Sequence, residues 1–140
     1  MSGYLSKALE IAVIAHNGQI DKAGKPYIGH PVYIALQMET EEEKAVALLH
    51  DVIEDTEYTE ADLINAGIPE NVVEAVKAIT HPEGQDYYEY LQEVKKNPLA
   101  LKVKIQDVMH NSDISRIERP TEKDYARLEK YKKAMKILNE

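Results

Sequence analysis

Glycine and proline, the residues that most strongly interrupt local structure, are absent between Pro31 and Gly67, between Pro98 and Pro120, and after Pro120. Three long spans are therefore free to run as helix, and their apolar residues keep a helical period. Residues 4 to 16 carry Leu5, Ala8, Ile11, Ala12 and Ala15, and residues 41 to 54 carry Ala45, Leu48, Leu49 and Val52, each set on one helical face. A loop rich in glycine and proline, "GQIDKAGKPYIGHP", separates these two and leads into a short helix over Val32 to Met38. Thr59 and Asp62 have cap spacing before a short helix that Gly67 ends, and Pro69 suits the first turn of the next, which runs to His81-Pro82. Helices are also predicted over "DYYEYLQEVKKN", from Pro98 to about Ile117, and from Thr121 to the last residues. No segment alternates apolar and polar residues as a half-buried strand does. The predicted fold is an all-α bundle of about six or seven helices in one domain spanning residues 1–140.

Composition narrows the chemistry. With no cysteine among 140 residues, thiolate metal sites, disulfides and cysteine nucleophiles are excluded, so any metal must be held by His, Asp, Glu or water. A net charge of −8 argues against a broad nucleic-acid-binding face. A small phosphate ligand remains compatible with it if a metal ion and a few local lysines reverse the potential inside a cleft. No run approaches the roughly 20 apolar residues that span a bilayer, so the expectation is a cytoplasmic protein with no membrane partner. The apolar side of the last helix either closes the bundle or meets another copy, which leaves a homo-oligomer open.

One stretch concentrates ligand-capable groups. In "ALLHDVIEDT" an apolar stripe runs into His50-Asp51, and within one more turn into Glu54-Asp55. On a helix His50 lies beside Glu54, and Asp51 beside both Glu54 and Asp55. Further on, in "VKIQDVMHNSDI", Asp107 interrupts a face otherwise made by Val103 and Ile114, with His110 and Asn111 within the next turn. A lone carboxylate on a buried face is costly unless paired or metal-bound. His30, between Gly29 and Pro31, opens the short helix and can point into the bundle. Two imidazoles and two carboxylates from different helices could supply one divalent metal with mixed nitrogen and oxygen ligands, leaving positions for water and substrate.

That pattern is the arrangement of an HD-domain phosphohydrolase. The segments "HNGQIDKAGKPYIGHP", "ALLHDVIEDT" and "VKIQDVMHN" further resemble three successive motifs of the RelA/SpoT-type hydrolase domain, in order and at comparable spacing. The likeness spans roughly residues 4 to 117 and extends to small stand-alone alarmone hydrolases of the metazoan SpoT-homologue kind. It implies an all-α domain that binds manganese (Mn2+) and removes the 3′-pyrophosphate from guanosine 3′,5′-bis(diphosphate). Carried over residue by residue, it makes His30, His50, Asp51 and Asp107 the metal ligands. Glu54 and Asp55 become the acidic pair that orients or deprotonates the attacking water, and Lys22 and Asn111 become substrate contacts. Lys25, Lys104 and Arg116 are further candidates for phosphate contact.

Two departures bear on the substrate. Asp21 stands where the family places an arginine before Lys22, and Val108 and Gln106 replace the usual Arg and Ala flanking the last ligand. An arginine can stack on a base or fork a phosphate, and an aspartate can do neither. The expectation is therefore a nucleotide-polyphosphate hydrolase whose guanine preference is less determined than its chemistry. A related nucleotide phosphatase acting on nucleoside monophosphates or phosphorylated dinucleotides is the alternative, and a catalytically silent nucleotide-sensing module is the non-enzyme reading. Any substrate wall beyond the last motif has to come from residues 121 to 140 or be missing.

Overall fold

The computed structural model describes residues 3–140. Among them the chain forms nine α-helices and one 3-10 turn: α1 (Gly3–Ala15), α2 (Gly29–Leu36), α3 (Glu41–Leu49), α4 (Val52–Asp55), α5 (Glu60–Asn65), α6 (Glu70–Ile79), α7 (Tyr87–Val94), α8 (Pro98–Asn111), the 3-10 turn Ile114–Arg116, and α9 (Glu122–Leu138). The fold is all-α, and the only β pairing among the described residues is an isolated bridge between Ile20 and Pro26. The count exceeds the six or seven expected: each of the eight spans with helical signals forms a helix, and one of them divides into two. The span 98–117 ends its α-helix at Asn111 and continues as the 3-10 turn, and the span 41–54 breaks at His50-Asp51.

The second break matters most. His50 keeps helical dihedrals (φ −59°, ψ −30°), whereas Asp51 sits at φ −104°, ψ 0°, in the sparsely populated bridge between the helical and extended regions. Consecutive residues of a regular helix do not face each other. At this break they do, and the two side chains approach to 3.1 Å.

Helix α3 is the centre of the bundle. Ala45, Val46, Ala47, Leu48 and Leu49 are all buried, so α3 is enclosed on every side over its last turns rather than amphipathic as its spacing suggested. It packs against α1, α2, α6 and α8. At its start the Thr40 hydroxyl accepts the Glu43 N–H (3.1 Å), and the Glu43 carboxylate accepts the Thr40 N–H (2.9 Å), closing a reciprocal cap. Glu43 also meets the Lys102 ammonium at 2.7 Å, which fixes the start of α3 to α8. Removing a leucine as enclosed as Leu49 to alanine would cost about 2–5 kcal/mol.

The loop before α2 folds back on itself. The Asp21 N–H donates to the Lys25 carbonyl (2.8 Å) and the Tyr27 N–H to that of Gln19 (2.9 Å). The reversal passes through Gly24 at φ +79°, a conformation that a side chain would strain. This hairpin delivers Tyr27 and His30 to the end of the bundle where α3 stops.

Candidate metal centre and substrate clefts

Three separate elements bring the ligand-capable side chains together. His30 comes from the first turn of α2, His50 and Asp51 from the break after α3, and Asp107 from α8. The ligand atoms of His30, His50 and Asp107 all lie within 4.8 Å of one another, and the three residues are buried. His30 Nε2 is 2.8 Å from Asp107 Oδ1, and His50 Nε2 is 3.1 Å from Asp51 Oδ2 and 3.4 Å from Asp107 Oδ1. Asp51, Glu54 and Asp55 form a second such group that adjoins the first through Asp51.

The atom that tests whether a cation fits is His50 Nε2. His50 Nδ1 is 2.6 Å from the Ala47 carbonyl, which can only accept, so Nδ1 carries the proton and Nε2 presents its lone pair. That lone pair is buried, has no hydrogen-bond partner among the described residues, and faces carboxylate oxygens of Asp51 and Asp107. Acceptors converge in this way only where a proton or a metal ion sits between them. Electrostatics state the same demand from both sides. Burial alone would lower the His50 pKa, but Asp51 and Asp107 overcome it and raise it well above the usual histidine range. Burial alone would raise Asp107, but the Lys104 ammonium and the two imidazoles hold it well below the usual carboxylate range. Two imidazoles with carboxylates suit a divalent transition metal.

The surroundings hold these ligands in place. The Tyr27 hydroxyl donates to Asp51 Oδ2. Lys104 Nζ donates to Asp107 Oδ2 at 3.0 Å and the Asn111 carboxamide to Oδ1 at 3.1 Å, so one face of α8 carries a carboxylate with a donor on either side. His30 Nδ1 lies 2.7 Å from His110 Nδ1. Burial, with Arg116 and His30 close by, pushes the His110 imidazole down to about 4.

Two clefts open over this centre and share Lys22, Tyr27 and Asn111 in their walls. The larger, of about 370 Å³, is polar and runs over Asp51, Glu54 and Asp55 to Lys130 and Tyr131 of α9. The smaller, of about 220 Å³, is lined by Ile20, Ala23 and Ile117 together with Asp21 and Arg116, and reaches His30. Glu54 and Asp55 are exposed at the mouth of the larger cleft. Glu54 accepts the His81 N–H at 2.7 Å, and burial plus the charges of Asp51 and Glu54 push Asp55 up to about 6. The Lys22 ammonium has its pKa lowered, first by burial and then by the cations of Arg127, Lys130 and Arg116.

Not every sequence expectation lands in a cleft as a free cation. Lys104 lines the larger cleft but is committed to Asp107, lying over the faces of Tyr90 (5.3 Å to the ring centre) and Tyr87 (5.8 Å). Lys25 is exposed and is not among the residues lining either cleft; its backbone N–H is spent on Asp21 Oδ1 at 2.9 Å. Val108, expected among the substrate-facing positions, is buried in the core at the floor of the larger cleft. Asp21, by contrast, turns inward. Its Oδ1 accepts the Ala23 and Lys25 N–H groups and its Oδ2 holds Arg116 at 3.2 Å, while the His110 carbonyl accepts from the other arm of that guanidinium at 2.9 Å. Sequence reasoning missed Tyr27, His81, Lys130 and Tyr131. Tyr27 precedes His30 by three residues and was within reach of inspection, whereas the α9 pair reaches the site only because that helix packs back along α7 and α8.

No family model matches the chain. A guanosine-3′,5′-bis(diphosphate) 3′-pyrophosphohydrolase of Haemophilus influenzae is 36% identical over 115 residues, covering 72% of this chain and 17% of that protein. A probable GTP pyrophosphokinase of Mycobacterium leprae is 30% identical over 121 residues, covering 76% of this chain and 15% of that protein. The chain thus spans about a sixth of the length of the curated relatives it matches. In three dimensions it aligns, at a TM-score of 0.82 and 22% identity, with a metazoan orthologue of SpoT described as hydrolysing ppGpp and playing a role in starvation responses. That alignment covers 99% of this chain and 86% of the other, and at this identity the likeness is one of fold.

Proposed function

Starting from the chain's homology to the HD-type RelA/SpoT hydrolases, in sequence and in fold, we propose that it is a metal-dependent phosphohydrolase that removes the 3′-pyrophosphate from guanosine 3′,5′-bis(diphosphate), with manganese as its metal. The observation that carries the reading is His50 Nε2, buried without a hydrogen-bond partner among the described residues and facing two carboxylates at the floor of a lysine-lined cleft. His30, His50, Asp51 and Asp107 would hold the metal. A divalent cation there supplies Lewis acidity, drawing charge from a phosphoryl oxygen and acidifying water.

The remaining work falls to this chain's own side chains. Glu54 and Asp55, at the mouth of the larger cleft, accept the proton of the attacking water, with Glu54 held by the His81 backbone N–H. Lys22 and Lys130 neutralise the phosphates. Lys22 already stands among Arg127, Lys130 and Arg116, with Asp124 only partly offsetting them, and a polyanion relieves the like charges that remain. The Asn111 carboxamide, shared by both clefts, bridges from Asp107 to the nucleotide. The smaller cleft, with apolar sides and a guanidinium tethered at two points, suits a flat heteroaromatic base. Together a flat compartment and a cationic compartment, joined over a metal nest, match a nucleoside carrying several phosphates better than a free phosphate ester.

The test is a nucleotide panel incubated with the purified protein and manganese, with products resolved. Release of pyrophosphate from the guanosine compound is expected. Absence of any phosphorus product from that compound and from the whole panel would sink the reading. Asp21 favours one second reading, a related phosphatase for nucleoside monophosphates or phosphorylated dinucleotides, because it ties up the cation nearest the base compartment. Orthophosphate as the product would select that reading, and tight binding without turnover would select a sensor.

A further inference from the structure

His110 lies outside the ligand set, yet it is the partner of a ligand. His30 can offer its Nε2 lone pair to a metal only if its proton resides on Nδ1, and His30 Nδ1 is 2.7 Å from His110 Nδ1. One of these two nitrogens must donate and the other accept. His50 solves the same problem with the backbone carbonyl of Ala47, an acceptor that cannot turn away. The acceptor for His30 is a side chain, and its orientation has to be enforced from elsewhere. Tyr33 supplies that constraint: its ring stacks on His110 at 4.1 Å between centres with the planes 18° apart, while the rings of His30 and His110 lie within 10° of parallel. The backbone of the same residue holds Arg116, whose guanidinium donates to the His110 carbonyl at 2.9 Å.

We infer that His110 is a positioning residue, whose Nδ1 lone pair accepts the His30 Nδ1–H and thereby fixes the tautomer and ring orientation in which His30 binds the metal. The inference rests on the metal-centre reading above and adds to it a residue that reaches the metal only through His30. Two substitutions separate the hydrogen bond from the packing. His110→Phe keeps a ring against Tyr33 and removes the acceptor. His110→Asn removes the ring and places a carbonyl oxygen where Nδ1 was.

Manganese binding is read directly, as free Mn2+ by electron paramagnetic resonance in titrations of metal-stripped protein, with melting of the stripped proteins as the control for folding. His110→Phe should weaken Mn2+ binding by about 10- to 100-fold, the range for losing a ligand's hydrogen-bonded partner, and His110→Asn should recover most of that loss. Equal binding by His110→Phe and the wild type overturns the inference, and so does an equal loss in both variants. Should either variant fail to fold, the unaltered protein loaded with diamagnetic Zn2+ answers through two-bond nitrogen–proton spectra of its imidazoles. Protons on His30 Nδ1 and His110 Nε2 are expected, and a proton on His110 Nδ1 overturns the inference. Failure of the wild type to bind Mn2+ at all would instead defeat the metal reading, so the two failures are distinguishable.

Discussion

The floor and the walls of the site are built to opposite standards. On the floor, His30, His50 and Asp107 are buried, and each is tied by at least one further contact to a named neighbour: His110, the Ala47 carbonyl, and Lys104 with Asn111. On the walls, Lys22 and Lys130 are exposed; Lys22 lies 6.0 Å from the ring centre of Tyr131, with Asp124 the carboxylate among the charges acting on it, and Lys130 lies 4.1 Å from that of Tyr87. Under the proposed function the two parts have different tasks. The floor would set what reaction can happen and would tolerate little change, whereas the walls would set what enters and could drift without unfolding anything. Asp21, the sharpest departure from the motif that the sequence resembles, is a wall residue, while His30, His50, Asp51 and Asp107, the ligands proposed for the metal, keep that motif.

The floor should tolerate damage least. Asp51→Ala should abolish metal binding and lower turnover by about 10³-fold or more, since several kcal/mol of charge stabilisation go with the metal; metal analysis of the purified variant and pyrophosphate release check it together. Lys104→Met should act on folding before it acts on substrate. It leaves the Asp107 charge buried and partly unpaired, and breaking such a pair costs about 3–5 kcal/mol, read as a shift in the urea midpoint. A rise in KM with unchanged stability would instead make Lys104 a wall residue.

The walls should respond in the reverse sense. Lys130→Ala is expected to raise KM about tenfold with kcat nearly unchanged and the melting temperature unmoved, the mark of lost uniform binding. Asp21→Ala should release one arm of Arg116 and change the ratio of kcat/KM between guanine and adenine nucleotides by up to about tenfold, within the range of one base-edge contact. A collapse of turnover in either variant would move that residue from wall to floor.

The smallest effect lies away from the site. Burial would raise the Glu43 carboxyl, but the Lys102 ammonium and the Thr40 N–H and hydroxyl outweigh it and hold the folded pKa below the ordinary value of about 4.5. Its contribution is therefore present above that value and is lost as pH falls through the lower, folded one. Glu43→Ala should cost about 1–2 kcal/mol at pH 7, with the difference from wild type shrinking under acid, as followed by urea denaturation across pH.

Most of the architecture was legible because helices announce themselves locally. The Thr59–Asp62 cap, the stop at Gly67 and the apolar periods of α1 and α6 are near-neighbour effects, and the structure has them where the residues put them. The break at Asp51 was not legible, since neither glycine nor proline marks it. It coincides with contacts made from elsewhere, the Tyr27 hydroxyl on Asp51 and the Ala47 carbonyl on His50. Asp107 could be suspected as a carboxylate on an apolar face, but its pairing with His30 across 77 residues could not be read from spacing. Lys25 and Lys104 show the limit of counting charges. Both sit in the right motifs, and only the fold separates a cation outside the clefts from one already spent on a ligand.

That 77-residue separation also sets an order of events as the chain is made. His30, His50 and Asp51 leave the ribosome well before Asp107, and Lys130 and Tyr131 later still. Until α8 arrives, the lone pair of His50 and the carboxylate of Asp51 belong to a chain with no pocket to protect them. The proposed metal nest therefore waits on the middle of α8, and the larger cleft above it on the still later residues of α9.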